Sequence, residues 1–130
     1  MNLITKITII LFGLMTILSC KKETYGLNTE FELDFNETAI VNVGEEKWTV
    51  KYTELTEESR CPPEAYCIWA GQVAVRIEIN DHIQAVIGHH TEIPPSFEFK
   101  QSQIRLRGVE YNKDRNFGKE KHSNIRLIVD

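Results

Sequence analysis

Gln72-Val73-Ala74-Val75-Arg76-Ile77-Glu78-Ile79-Asn80-Asp81-His82-Ile83-Gln84-Ala85-Val86-Ile87-Gly88 is the stretch that decides how this chain folds. Val73, Val75, Ile77 and Ile79 recur at a period of two, with Gln72, Ala74, Arg76 and Glu78 between them. That alternation predicts a half-buried strand, apolar side inward. Asn80-Asp81 is a tight-turn dipeptide, because both side chains tolerate left-handed backbone. His82–Gly88 then returns through Ile83, Ala85 and Ile87, which completes a hairpin.

The same period governs the chain on either side. Upstream, Thr29–Phe35 alternates Phe31, Leu33 and Phe35 with Glu30, Glu32 and Asp34. Ala39, Val41 and Val43 lead to a turn at Gly44-Glu45-Glu46. Lys47–Leu55 places Trp48, Val50 and Tyr52 inward and Lys47, Thr49, Lys51 and Thr53 outward. Aromatic and β-branched residues dominate, as pleated surfaces favour. Thr56–Arg60 is charged and is expected to be exposed. Downstream, His89–Ser96 is a loop with Pro94-Pro95, and Phe97 and Phe99 suggest a short edge strand. Gln103–Tyr111 begins with Ile104 and Leu106 inward, then changes phase at Gly108 to Val109 and Tyr111, the signature of a β-bulge. Asn112–Asn124 is a charged loop, and Ile125, Leu127 and Val129 mark a last strand. No stretch sustains a 3.6-residue apolar period. Seven or eight short strands at regular spacing predict an all-β fold: an antiparallel β-sandwich, immunoglobulin-like, with a small β-barrel as the alternative.

Ser59–Gly71 interrupts this pattern. It reads Ser-Arg-Cys-Pro-Pro-Glu-Ala-Tyr-Cys-Ile-Trp-Ala-Gly and holds two of the three cysteines and two of the four prolines. It reads as a small loop closed by a Cys61–Cys67 disulfide, with Trp69 against the sulfurs. Pro62 and Pro63 restrict the backbone before any bond forms. Gly71 allows a close backbone approach before the next strand. The spacing differs from that of immunoglobulin domains, whose disulfide joins distant strands.

The chain has 130 residues and a formal net charge of −4, enough for one domain with a modest core. Mild acidity excludes nonspecific nucleic-acid binding, which needs a basic face. The basic residues Lys113, Arg115, Lys119, Lys121 and Arg126 gather late in the chain and read as a solvated loop.

The amino terminus is of a different kind. Lys6 precedes Ile7–Leu18, an uncharged and mostly apolar run of twelve residues. Spanning a bilayer takes about 20 residues, so this run fits the core of a secretory signal. Its end, Ile17-Leu18-Ser19-Cys20, resembles the lipobox of bacterial lipoproteins, with the usual Leu of the third position before the cysteine replaced by Ile17. The resemblance implies cleavage before Cys20, a diacylglyceryl thioether on its sulfur and an acylated amino group. Several acyl chains would anchor firmly where one would be marginal. Lys21-Lys22 follows without an Asp after Cys20, which favours the outer membrane. The expected organisation is a signal peptide at 1–19, a lipidated tether at 20–28 and one sandwich domain at 29–130. Acylation of Cys20 would leave Cys61 and Cys67 as a single pair, so the odd cysteine count is accounted for.

Glu58–Pro62 and Cys67–Val75 together also resemble a signature of small bacterial lipoproteins, Ser-Arg-Cys-Pro, four residues, then Cys-Ile-Trp-Ala-Gly and an alternating strand. The resemblance implies an exported, disulfide-bearing, lipid-anchored domain and supplies no catalytic residue.

Residue types bear on several possible chemistries. His82, His89 and His90 are the candidates for a metal site, but no His-x-His or Cys-x-x-Cys spacing supports them. Five residues between Cys61 and Cys67 speak for a structural bond over thiol redox chemistry. Ser59, Ser96, Ser102 and Ser123 lie outside any Gly-x-Ser-x-Gly frame. The expectation is therefore a monomeric, cofactor-free, lipid-anchored envelope protein, not an enzyme, with a binding or structural role and an unidentified protein partner. In that reading Arg60, Pro62, Pro63 and Tyr66 form a stiff candidate binding loop, while Ile68 and Trp69 look like core. Two alternatives are a protease inhibitor presenting Arg60 from loop 59–67 and a periplasmic metal-binding protein.

Overall fold

The structure is a computed structural model that describes residues 2–3, 22–61, 66–68, 70–110 and 123–130. Every secondary-structure element among them is a strand: β1 (Thr24–Tyr25), β2 (Phe31–Leu33), β3 (Thr38–Val43), β4 (Glu46–Glu58), β5 (Val73–Ile79), β6 (Ile83–His89), β7 (Ser96–Phe99), β8 (Ser102–Val109) and β9 (Ile125–Val129). They form two sheets, β1-β3-β4-β5-β6 and β2-β9-β8-β7. Neither closes on itself, so the molecule is a β-sandwich and the barrel alternative is set aside. All pairs are antiparallel except β1 with β3.

The turns follow from local chemistry. β3 and β4 pair through Val43 and Glu46, leaving Gly44-Glu45 as the connection, with Gly44 at φ +61°. Asn80 and Asp81 both take left-handed backbone, at φ 52° and 64°, and Ile79 pairs with Ile83 as the hairpin pattern requires. Asn80 also accepts from the Thr49 amide through Oδ1 at 3.0 Å, which ties this turn to β4. The phase change at Gly108 is a register shift between Leu106 and Gly108 against β9.

The core lies between the sheets. Trp48, Val50 and Tyr52 of β4 and Val73, Val75, Ile77 and Ile79 of β5 face Ile104, Leu106, Ile125, Leu127 and Val129, all fully buried or nearly so. Each such side chain contributes roughly 1.5–3 kcal/mol on burial. Phe99 meets Trp48 edge-on at 4.8 Å between centroids, and Phe35 meets Tyr52 likewise at 5.7 Å.

Three details depart from the sequence reading. The described residues form nine strands, because Thr24–Tyr25 pair with Ile40–Val41 inside the stretch read as tether. β4 runs on to Glu58, and Thr56, Glu57 and Glu58 are half-buried where an exposed segment was expected. Register shifts between Tyr52 and Glu54 and between Leu55 and Glu57 carry the strand through its charged end, which hid it from a period-two count. Ala74, expected outward, is buried as well, beside Gly88, where an added Cβ would come within 3.0 Å of the Ala74 methyl.

Candidate functional site

The end of the sandwich where β4 leaves the sheet and β5 enters it carries the disulfide segment. The two chain ends are laced together first. Ser59 N–H donates to the Gln72 carbonyl at 2.8 Å, and the Gln72 amide donates to Ser59 Oγ at 3.0 Å. Gly71 crosses so close to Ser59 and Arg60 that an added Cβ would lie 1.9 Å from the Ser59 carbonyl oxygen and 2.2 Å from Arg60 Cα. Only glycine fits there. The Cys61–Cys67 disulfide then closes the loop, with 5.8 Å between Cα atoms.

Arg60 sits inside this arrangement. Its guanidinium donates to both oxygens of Glu58, with Nη2 at 2.5 Å from Oε2 and Nε at 2.8 Å from Oε1. Nη1 reaches across to the Val109 carbonyl at 2.6 Å. The side chains of Arg60 and Glu58 are only 16% and 7% exposed. Nearby, the Tyr52 hydroxyl and Ser123 Oγ lie 3.1 Å apart in the interior. Burial pushes the Tyr52 phenol above its ordinary value, and the Ser123 contact partly offsets that. Glu58 and Arg60 stand two apart on a strand-like backbone and so share a side. That spacing is the signal for the pair in the sequence, and it is masked because both residues read as surface charge.

This geometry corrects the reading of Arg60 as a presented specificity residue. Its guanidinium is committed to Glu58 and Val109 and does not project from the loop. Tyr66 does project, at 108% relative exposure, and so does Ile68, at 101%, which corrects the expectation that Ile68 is core. Pro62, Pro63 and Trp69, like Cys20 and Tyr111, lie outside the described residues.

The histidines do not converge. His82 belongs to the β5–β6 turn and His89 ends β6, so a whole strand of about 20 Å separates them. His90 turns the other way. Its Nδ1 accepts from the Glu92 amide at 2.9 Å, and its Nε2 lies 2.6 Å from Glu57 Oε2, with the side chain 10% exposed. An imidazole held at both nitrogens pins the 90–92 turn onto β4. Among the described residues no group of three potential ligands gathers for a metal ion, and the three-histidine site is set aside on the strand separation alone.

At the opposite end a second polar cluster links the sheets. Trp48 Nε1 donates to Glu46 Oε2 at 2.9 Å, and Lys100 Nζ approaches the same carboxylate at 3.2 Å while lying 5.5 Å over the Phe99 ring. These partners, Trp48 first, hold the Glu46 carboxyl below its ordinary value.

No protein-family model matches the chain, and neither a curated protein nor a solved structure matches it.

Proposed function

We propose that the protein is a lipid-anchored component of a bacterial cell envelope, of the small-lipoprotein kind that its leader and Ser-Arg-Cys-Pro segment resemble, and that its role is noncatalytic binding. The observation that carries this reading is the Cys61–Cys67 bond. A disulfide belongs to an oxidising, exported setting, and it leaves Cys20 as the one remaining thiol, placed after an apolar leader and a small residue. The outer membrane is the expected site, since no Asp follows Cys20. The noncatalytic part is supported by how the hydroxyls and charges near the loop are used. Ser59 laces two strands, Ser123 contacts Tyr52, and Arg60 and Glu58 hold each other.

Mass spectrometry of the amino-terminal peptide from the membrane fraction tests the anchor. The expected product begins at Cys20 and carries acyl chains, and Cys20→Ala leaves an unprocessed precursor. A chain that begins at Met1 with an unmodified Cys20 overturns the reading. Binding is tested by crosslinking in the native envelope. A specific protein adduct of the parent chain is expected, and recovery of lipid adducts alone refutes a protein partner.

A further inference from the structure

We propose that Tyr66 and Ile68 form a second membrane contact, seated in the headgroup region of the same bilayer that holds the Cys20 lipid. The inference rests on the lipid-anchor reading and adds an orientation to it. Three observations lead there.

The first is exposure. Tyr66 and Ile68 are fully solvent-exposed large side chains on either side of Cys67, whose bond to Cys61 ties them to the end of β4. Isolated exposed apolar residues are ordinary. Tyr66 and Ile68, on either side of a disulfide-bonded cysteine, place two large apolar side chains at one exposed point of the chain. Tyrosine suits the bilayer boundary in particular, because its ring is apolar and its hydroxyl remains among the headgroups.

The second is direction. β1 runs parallel to β3, with Thr24 opposite Ile40, and Ile40 is opposite Thr49 of β4. Moving back from Thr24 to Glu23 therefore follows β4 toward Glu58, the end that bears the disulfide loop. The chain upstream of Glu23, which starts level with Ala39 and Val50, therefore heads toward the end of the sandwich that carries the apolar tip. The turns at Gly44-Glu45, Asn80–His82 and Lys100-Gln101 lie toward the other.

The third is reach. Because β1 is already in the sheet and Ile40 N–H donates to the Glu23 carbonyl at 3.0 Å, only Lys21 and Lys22 separate Cys20 from the folded domain. Three peptide units span roughly 10 Å at most. A domain held that closely must rest on the bilayer. The level of Glu58 lies about 25 Å further along β4, so contact there fixes the tilt of a domain that a single tether would leave free to pivot.

The test uses the full mature chain reconstituted in phosphatidylethanolamine–phosphatidylglycerol vesicles, some carrying acyl-brominated lipid. Ile68→Trp and Glu45→Trp place an added indole at the two ends, and the parent chain is subtracted. Strong quenching is expected for Ile68→Trp, at a depth of roughly 5–10 Å into the headgroup and acyl boundary, with none for Glu45→Trp. Both positions are exposed, and an unchanged thermal midpoint in each variant excludes misfolding as the cause. Equal or absent quenching at the two positions, in protein whose Cys20 is acylated by mass, overturns the second contact and leaves the anchor standing. An unacylated Cys20 overturns both.

Discussion

The Arg60 guanidinium donates to the Val109 carbonyl across a sequence separation of 49, at 2.6 Å. The bond joins the segment after β4, in the five-stranded sheet, to the last residue of β8, in the four-stranded one. Since Glu58 balances the charge and is itself nearly buried, the contact acts as a clasp at the disulfide end of the sandwich.

Arg60→Ala opens this clasp and strands a buried carboxylate. The loss expected in chemical denaturation is about 2–3 kcal/mol, below the range for fully buried pairs because Arg60 retains some contact with water. Removing both charges with Glu58→Gln, Arg60→Met recovers part of it. If Arg60→Ala instead shifts the denaturation midpoint no more than an exposed substitution such as Lys47→Ala does, the clasp contributes nothing.

Gly71→Ala places a methyl against the backbone of Ser59 and Arg60. No rotamer relieves a clash with backbone, so a loss of about 3 kcal/mol or more is expected. Gly26→Ala is the control, because nothing lies within 4 Å of a Cβ there. Thermal unfolding of the two variants side by side decides it. Similar midpoints would mean that the crossing loosens at little cost.

The Glu46 carboxyl ionises more readily in the folded chain than in the unfolded one, held first by the Trp48 indole N–H and then by Lys100. A depressed carboxyl adds stability above its unfolded value of 4.5, and that stability is lost as pH falls through the lower folded value. Glu46→Gln should therefore show a shallower loss of stability below that pH than the parent. Trp48 emission, followed through an acid titration in a Trp69→Phe background, reports the same event. Coincident acid profiles for the parent and Glu46→Gln would remove Glu46 from the account.

Lys100 and Gln101 both adopt left-handed backbone, at φ 46° and 68°, in the two-residue connection between β7 and β8. Neither is a residue type that favours it. Gln101→Gly should stabilise by about 0.5 kcal/mol, the relief of strain exceeding the added freedom of the unfolded chain. Lys100 is left in place because it reaches Glu46. A lower midpoint for Gln101→Gly would show that the turn carries no strain worth relieving.

That turn also shows where sequence reading reached its limit. The hairpin at Asn80-Asp81 and the turn at Gly44 were legible because their residues advertise positive φ. Lys100-Gln101 does not, so Phe97 and Phe99 indicate an edge strand in the sequence while its pairing with β8 is seen only in the structure. The bulge at Gly108 was legible as a phase change between Leu106 and Val109, both of which are buried as expected. The end of β4 was not, since two register shifts and a run of acidic residues mask its alternation. Within the candidate site, the Cys61–Cys67 pair and the close approach at Gly71 followed from residue type. The roles of Arg60 and Ile68 were reversed. Whether a charge is buried depends on a distant carbonyl, here Val109, and nothing near Arg60 in the chain announces it.

Thr24–Tyr25 give the domain a mechanical polarity. Tension applied upstream of Glu23 acts along the axis of β1, so its hydrogen bonds to β3 share the load in shear, and the Tyr25–Phe31 stack, with 4.9 Å between centroids, resists in parallel. A sideways force would instead peel the same bonds one at a time. The edge strand is thus the part of the sheet that a pull on this end loads first, outside the buried interior that holds Trp48 and Tyr52.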